Sequence, residues 1–395
     1  MVKKISLAAK EKCTGCGACK AICPKGAISF VPNEEGFPFP VINEETCVRC
    51  GICEKSCPAI ELPDMYEIQA AYAAQLKDAV TLKDSTSGGL FTALARGIFR
   101  RGGVVYGCVW DEAYNAVIRN AENEEEIAPM RGSKYVWSWA GDTFPEIRDY
   151  LESGRAVLFT GLPCQIAGLK KFLKKEYEHL YLADFLCSGA PSPLALDRYL
   201  DTICEKKDRK DLNLKFRDKE PYGVGVHITY TGKKKDIDQG EYFRNPYYWG
   251  FYIRLTDRES CYDCPYGYGS RVADITMGDY WGISNYHQEF DIKKGVSALF
   301  INSDKGRILL DEISDEILLS ETKPENIAKE NNLFIGDKKR NIQKPKNRGP
   351  FFSTLRNKGW KAAEHRFLMT KGRLYRIAEQ KLPSSISRLL NKIIL

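Results

Sequence analysis

The stretch CTGCGACKAICP at residues 13–24 and the stretch CVRCGICEKSCP at residues 47–58 share one spacing, C-x-x-C-x-x-C-x-x-x-C-P. Thiolates two residues apart let a tight loop wrap one corner of an iron–sulfur cube. The fourth cysteine of each copy reaches across to the other cube. The expected ligands are therefore Cys13, Cys16, Cys19 and Cys57 for one 4Fe–4S cluster, and Cys47, Cys50, Cys53 and Cys23 for the second. Gly15, Gly17 and Gly51 suit loops that bend sharply around a cluster. The competing readings are a disulfide framework and structural zinc. Two copies of one spacing, each closed by a proline, argue against both. Any function of the chain then involves moving electrons.

These residues resemble the bacterial-type two-cluster ferredoxin, a module expected over residues 1–65. The whole chain has 395 residues, 43% hydrophobic and 28% charged, which suits two or three packed domains and excludes disorder. The opening MVKKISLAAKEKC is too short and polar for a signal peptide, and no run of 18 apolar residues spans a membrane. Clusters need reduced thiols during assembly, so the cytoplasm is the expected compartment. Charge is uneven. Residues 337–395 carry 16 Lys and Arg against 3 Asp and Glu, a net +13, and the remainder is net −6.

Residues 59–80 read as a linker passing into a helix, with the alanine-rich MYEIQAAYAAQLKDAV as its body. Ser87-Gly88-Gly89 then opens a helical pattern with Leu90, Phe91, Leu94 and Ile98 on one face. Ser87 suits an N-cap, and a glycine-rich helix start can seat a phosphate on free N–H groups. Arg131 and Lys134 in RGSKY could hold a phosphate or carboxylate. Plain capping and a solvated loop are the commoner roles of such stretches. From Arg155 a doubly wound pattern begins: a strand turns at Cys164 into a helix, and the next strand turns at Cys187 into another. Adjacent parallel strands put such ends side by side, where open α/β sheets hold ligands. Residues 242–254, dense in aromatics, could line a planar cofactor or pack a core.

Cys261 and Cys264 form a C-x-x-C followed by Pro265. With Cys164 and Cys187 they make a set of four. In a chain already carrying two clusters, a third 4Fe–4S cluster is the economical reading, with structural zinc as the alternative. Cys108 and Cys204 read as small buried hydrophobes, in a strand and a helix. The four histidines show no metal-ligand spacing. Neither a Walker loop nor a post-strand G-x-G-x-x-G is present, so a Rossmann dinucleotide site is not supported.

SGG at 87–89, RGSKYV at 131–136, GLPCQIAGLKKFL at 161–173, DFLCSGAPSP at 184–193, SCYDCP at 260–265 and DITMGDYWGI at 274–283 occur in order. In this they resemble the family of coenzyme F420 hydrogenase/dehydrogenase beta subunits, from about residue 80 to 320. Residues 337–360 are similar to its C-terminal segment. The resemblance implies an iron–sulfur flavoprotein, with FAD beside a 4Fe–4S cluster on Cys164, Cys187, Cys261 and Cys264. It implies Ser87, Gly88, Gly89, Arg131 and Lys134 as cofactor-binding residues. Relatives include formate dehydrogenase beta subunits, an F420-dependent sulfite reductase and plant 7-hydroxymethyl chlorophyll reductase; many bacterial members are associated with surface polysaccharide synthesis. This chain has Leu162 where the family more often has threonine, and Ser188 where it more often has histidine. That histidine's role is lost here, while the cysteines are intact.

The expected fold is α+β passing to α/β. A dicluster ferredoxin fold (1–65) leads into an α/β flavin-binding region with a central mixed sheet. That region divides into residues 80–150 and residues 151–320, the latter with the third cluster and flavin site. A helical, basic C-terminal segment (321–395) follows. The expected function is an oxidoreductase passing electrons between ferredoxin-type clusters and a two-electron partner through FAD. The partner is coenzyme F420, another small organic substrate or a redox protein. The alternatives are a relay subunit of a larger redox complex and a reductase in surface polysaccharide synthesis. No nucleic acid is expected. Ile386, Leu389, Leu390, Ile393 and Ile394 form an apolar stripe with basic flanks. It docks on the chain's own body, on an anionic membrane surface or on an acidic partner. Iron and labile-sulfide analysis after anaerobic purification should find about twelve irons per chain; about eight with one zinc would remove the third cluster and spare the ferredoxin pair.

Overall fold

A computed structural model describes residues 5–219, 227–231, 237–241, 245–267, 269–331 and 342–368. The stripe at 386–394 and residues 242–244 of the aromatic stretch lie outside them.

Two single-turn helices, α1 (Ala18–Ala21) and α2 (Ile52–Lys55), flank an antiparallel hairpin of β1 (Ile28–Pro32) and β2 (Pro38–Ile42). Each helix starts after a left-handed glycine, Gly17 at φ 86° and Gly51 at φ 74°. Those positions cost a side chain about 1 kcal/mol or more. The chain then lays down β3 (Ala70–Leu76), α3 (Ala79–Lys83), α4 (Leu90–Arg100), β4 (Val104–Trp110), β5 (Ala116–Ala121), α5 (Glu124–Ile127) and β6 (Ser138–Trp139). The doubly wound stretch follows as α6 (Phe144–Glu152), β7 (Val157–Thr160), α7 (Pro163–Leu173), β8 (Leu180–Phe185) and α8 (Pro193–Leu200). A small antiparallel sheet comes next, from β9 (Asn213–Lys215), β10 (His227–Thr231) and β11 (Ile237–Glu241), then α9 (Pro246–Tyr252). The chain continues through β12 (Ile275–Asp279), β13 (Ser297–Ile301), α10 (Asp304–Glu312), β14 (Ile317–Thr322), α11 (Pro324–Glu330) and α12 (Arg348–Phe367).

Nine strands form one mixed sheet in the order β14-β3-β13-β12-β8-β7-β4-β5-β6. Its middle, β12, β8, β7 and β4, is parallel. These strands are almost continuously apolar because both faces are covered. On one face Leu90, Leu94 and Ile98 of α4 and Leu309 and Leu310 of α10 pack on Val105, Leu158 and Ile275. On the other, Phe144 and Ile147 of α6 and Ile166, Leu169 and Phe172 of α7 pack on Val104, Phe159 and Leu182. Each such side chain contributes up to about 2 kcal/mol.

The helix expected at residues 65–80 is not there. Its centre is β3, inside the sheet, paired antiparallel with both β13 and β14. Ala71, Ala73 and Ala74 are fully buried, so ladder pairing and close packing outweigh alanine's helix propensity. A second correction concerns α4. Its cap is Gly89, left-handed at φ 79°, and the Ser87 hydroxyl donates instead to the Val296 carbonyl at 3.1 Å. Cys204 lies in a bend beyond α8, not in a helix.

The ferredoxin-like module is built into the body. Cys16 and Ala18 belong to the same apolar cluster as α6, α7 and β7. A Cβ on Gly17 would fall 2.5 Å from the Gly141 Cα, and one on Gly168 would fall 2.9 Å from the Cys16 Sγ. Trp137 Nε1 donates to the Thr14 carbonyl at 3.2 Å, and Lys20 pairs with Asp142 at 2.6 Å. From α12, buried Arg348 binds Glu35 in the β1–β2 turn and donates to Leu255 O and the Tyr262 hydroxyl, both at 3.2 Å. Nearby, Arg356 pairs with exposed Glu34. Arg348→Ala should therefore lower the unfolding free energy by about 3 kcal/mol in urea titrations of the anaerobic protein. Arg356→Ala should leave the midpoint nearly unmoved, because solvent screens that pair.

Candidate functional site

Cys164 follows β7 at the first turn of α7. Pro163 opens that helix, and Gln165 locks the turn: its Oε1 accepts from Leu162 N at 2.9 Å and its Nε2 donates to Ser138 O at 3.0 Å. Cys187 lies two residues beyond β8, the parallel neighbour of β7. The segment carrying Cys261 is tied to this turn by Arg258 N, which donates to Ala190 O at 2.8 Å. All four cysteines of the set meet there: Cys164 and Cys261 each face Cys187 and Cys264. The two strand-end cysteines and the C-x-x-C thus converge at the carboxyl edge of the sheet.

In the first ferredoxin set Cys16 lies within electrostatic reach of Cys13 and of Cys57, which comes from the other copy. The second set lines one cavity: Cys23, Cys47, Cys50 and Cys53, with Arg49, Ile52 and Val48. Ala27 N donates to Cys23 Sγ at 3.3 Å. Cys50 is exposed, so this outer set opens to solvent, whereas Cys16 and Cys19 are buried. Among the described residues no three His, Cys, Asp or Glu side chains converge as a single ion's ligands do.

The inner two sets are neighbours. Cys164 faces Cys16, and the Tyr266 ring lies among Cys164, Cys16, Cys264 and Cys57. Burial pushes the Cys16 thiol up to about 12 and raises Cys164 and Cys261 as well. Bound iron would remove that obstacle, because a thiol that coordinates a metal is deprotonated and its proton is released. Two buried polar atoms at these sets, Tyr266 Oη and Arg258 Nη1, have no protein partner. Thiolate and sulfide acceptors of bound clusters would satisfy them, so the residues fit the clusters.

The residues expected to hold FAD gather at the same sheet edge. The loop before α4 meets the RGSKY loop, where Ser133 N donates to Thr86 Oγ1 at 2.9 Å. Gly89 caps α4 without a side-chain acceptor for its first N–H groups, as an anion seat requires. Gly88 has a packing reason too, since a Cβ there would fall 2.3 Å from Ala74 O. Arg131 lies on Thr92 Oγ1 at 3.1 Å and on Glu124 at 3.3 Å. The Lys134 ammonium rests on the carbonyls of Pro129, Arg131 and Gly132, and burial pushes its pKa down to about 8. Sequence reasoning missed Lys219, whose ammonium holds Leu82 O, Ser87 O and Lys294 O within 2.8 Å and is likewise pushed down to about 8 by burial. It missed the buried Arg217–Asp279 pair at 2.8 Å as well. No local pattern marks a lone cation that serves a loop 132 residues away.

Residues 71–141 match the N-terminal part of the family described as "Coenzyme F420 hydrogenase/dehydrogenase, beta subunit", residues 154–327 match its C-terminal part, and residues 12–59 match "4Fe-4S dicluster domain". The chain belongs to this family of coenzyme F420 hydrogenase/dehydrogenase beta subunits, with a 4Fe–4S dicluster domain in front, and is an iron–sulfur oxidoreductase. It is 23% identical over 340 residues to the F subunit of the F(420)H(2) dehydrogenase of Methanosarcina mazei, covering 80% of this chain and 86% of that one. It is 24% identical over 360 residues to the coenzyme F420-dependent sulfite reductase of Methanocaldococcus jannaschii, covering 86% of this chain. It spans only 52% of that reductase. A chain of the F420-reducing NiFe hydrogenase complex from Methanosarcina barkeri superposes with a TM-score of 0.42 at 16% identity, over 68% of this chain and 87% of that one. Among the described residues no helix is long and apolar enough to cross a membrane.

Cys164→Ser and Cys261→Ser should each remove one cluster signal from low-temperature EPR and leave the ferredoxin pair. Cys16→Ser should remove a ferredoxin signal and disturb the third, since its thiol faces Cys164. Cys108→Ala and Cys204→Ala should lose none; loss of a cluster in either would overturn the ligand sets.

Proposed function

We propose that this chain is a flavin-dependent iron–sulfur oxidoreductase that exchanges single electrons at its outer ferredoxin cluster and an electron pair with a small organic partner at the sheet edge. The observation that carries the reading is the row of cysteine sets. The set on Cys23, Cys47, Cys50 and Cys53, with Cys50 exposed, leads to the set on Cys13, Cys16, Cys19 and Cys57, with Cys16 and Cys19 buried. That set meets Cys164, Cys187, Cys261 and Cys264 through the Cys16 loop, which packs on α7 at Gly168, one turn from Cys164.

FAD, when bound, supplies the change from one-electron to two-electron transfer. The α4 N-terminus at Gly89 would seat its pyrophosphate, and Arg131 and Lys134 would turn from their present partners to neutralise it. The ammonium groups of Lys134 and Lys219 rest on carbonyls, and an anion would supply the counter-charge that their burial calls for. The two-electron partner is coenzyme F420, in keeping with the names of both relatives, or another small organic substrate.

One observation favours a second reading, a relay within a larger redox complex. Of the eleven large apolar side chains exposed among the described residues, Val31, Val41, Val48, Ile60 and Leu62 all lie in the ferredoxin-like module. A protein partner could dock on them. The M. mazei relative is named as one subunit of a dehydrogenase.

Anaerobic reconstitution with iron, sulfide and FAD, reduction by dithionite and stopped-flow mixing with oxidised F420 separates the readings. Rapid two-electron reoxidation with bound flavin is expected. Protein that binds no flavin and gives up electrons only singly would leave the relay. Reoxidation by an artificial acceptor but not by F420 would keep the flavoenzyme and remove the deazaflavin.

A further inference from the structure

Five arginines are buried among the described residues: Arg209, Arg217, Arg258, Arg271 and Arg348. Four have a carboxylate: Arg209 has Asp197 and Asp201, Arg217 has Asp279, Arg271 has Asp184 and Arg348 has Glu35. Arg258, at 1% exposure, is ion-paired to none of the described carboxylates. Its Nε donates to Cys13 O at 2.8 Å and its Nη2 to Pro38 O at 3.0 Å, with Cys13 Sγ 3.8 Å away. Nη1 is buried without a partner. The rings of Phe39, Phe37 and Trp137 surround the guanidinium, with centroids at 4.2, 5.4 and 5.7 Å. Gly15 makes room for it, since a Cβ there would fall 3.1 Å from Cζ and Nη1. It touches both inner sets: Cys13 belongs to the first ferredoxin set, and Cys261 of the third set follows on the same turn, its N donating to Arg258 O at 2.9 Å.

A guanidinium sealed among aromatic rings is costly unless a negative charge shares the site. An iron–sulfur cube held by four thiolates is that charge, and it becomes more negative on reduction. A fixed cation beside it therefore favours the reduced form. The outer set has Arg49 at its rim, but that side chain is 41% exposed and pairs with Glu44 at 3.4 Å, so solvent screens it.

We propose that Arg258 is the shared counter-charge of the two inner clusters, raising both reduction potentials so that electrons settle on the inner pair in preference to the outer cluster. The shared role rests on the third-cluster reading. The inner pair is then a two-electron store beside the site where pairs are exchanged, and Arg258 is a positioning residue for charge, touching neither flavin nor substrate.

The test is EPR-monitored potentiometry of the cluster-loaded full chain with Arg258→Met, Arg258→Gln and Arg258→Lys. At a fixed potential near the wild-type midpoints, both neutral variants should lose about tenfold in the reduced-to-oxidised ratio of the two inner signals, which is about 59 mV for a one-electron couple. The outer signal should not move, and Arg258→Lys should stay near wild type. If the neutral variants fail to load clusters, the lysine variant decides: loading with inner ratios near wild type keeps the counter-charge role, and inner ratios lowered about tenfold despite the retained charge overturn it. Loading in all three with unmoved ratios overturns it, as does loss of loading in all three, lysine included, which would leave a packing role. Wild-type protein with two signals and about eight irons instead removes the third-cluster reading. Three signals with unmoved ratios remove only the role of Arg258.

Discussion

The structure depends on how closely one cysteine loop approaches one helix. The loop carrying Cys16 lies on α7 where Gly168 has no side chain, and its neighbour Gly17 meets Gly141 at backbone distance. Electron transfer falls off steeply with separation, so these contacts fix whether the first ferredoxin set and the third set can act as one path. The sheet brings Cys164 and Cys187 to adjacent strand ends, and Arg258 N fastens the Cys261 segment to the Cys187 turn. Remove the close glycine contacts and the cysteine sets survive singly but not as a row.

The same closeness makes the interior electrically demanding. Desolvation raises the buried thiols, and it lowers Lys134 and Lys219. The groups nearest these cations solvate them without a counter-charge: carbonyls around the lysines, and aromatic rings and two carbonyls around Arg258. Elsewhere the fold pairs its buried charges well: Asp184 binds Arg271 at 3.0 Å, and Thr276 sits beside it. Arg258 and the two lysines therefore mark two places, the inner cysteine sets and the loops around α4. Those are the places where iron–sulfur clusters and a dinucleotide pyrophosphate are expected.

Much of this was legible in the sequence because its signals are local. The strands expected before Cys164 and Cys187 and the helix between them are present as β7, β8 and α7. What was not legible depends on distant partners. AAYAAQL reads as helix until β13 and β14 flank it. Ser87 reads as a cap until the chain places Val296 O within its reach. Arg258 lies three residues before Cys261 and looks like any surface arginine. Only the fold shows that Phe37, Phe39 and Trp137 come from two remote segments to seal it.

The docking of the ferredoxin-like module also bears on how electrons enter. A tethered carrier domain would swing between partners, and its interface would be small and polar. Here the module shares an apolar cluster with the sheet, and Arg348 and Arg258 reach into it from the body. In its inner set Cys16 and Cys19 are buried, while in its outer set Cys50 is exposed beside Val48 and Ile52. On the proposed reading, an external carrier meets the outer set, where Cys50 is exposed. On that reading, electrons received singly at the outer set are held along the cysteine row until a pair is wanted, which is what chemistry on a small organic partner requires.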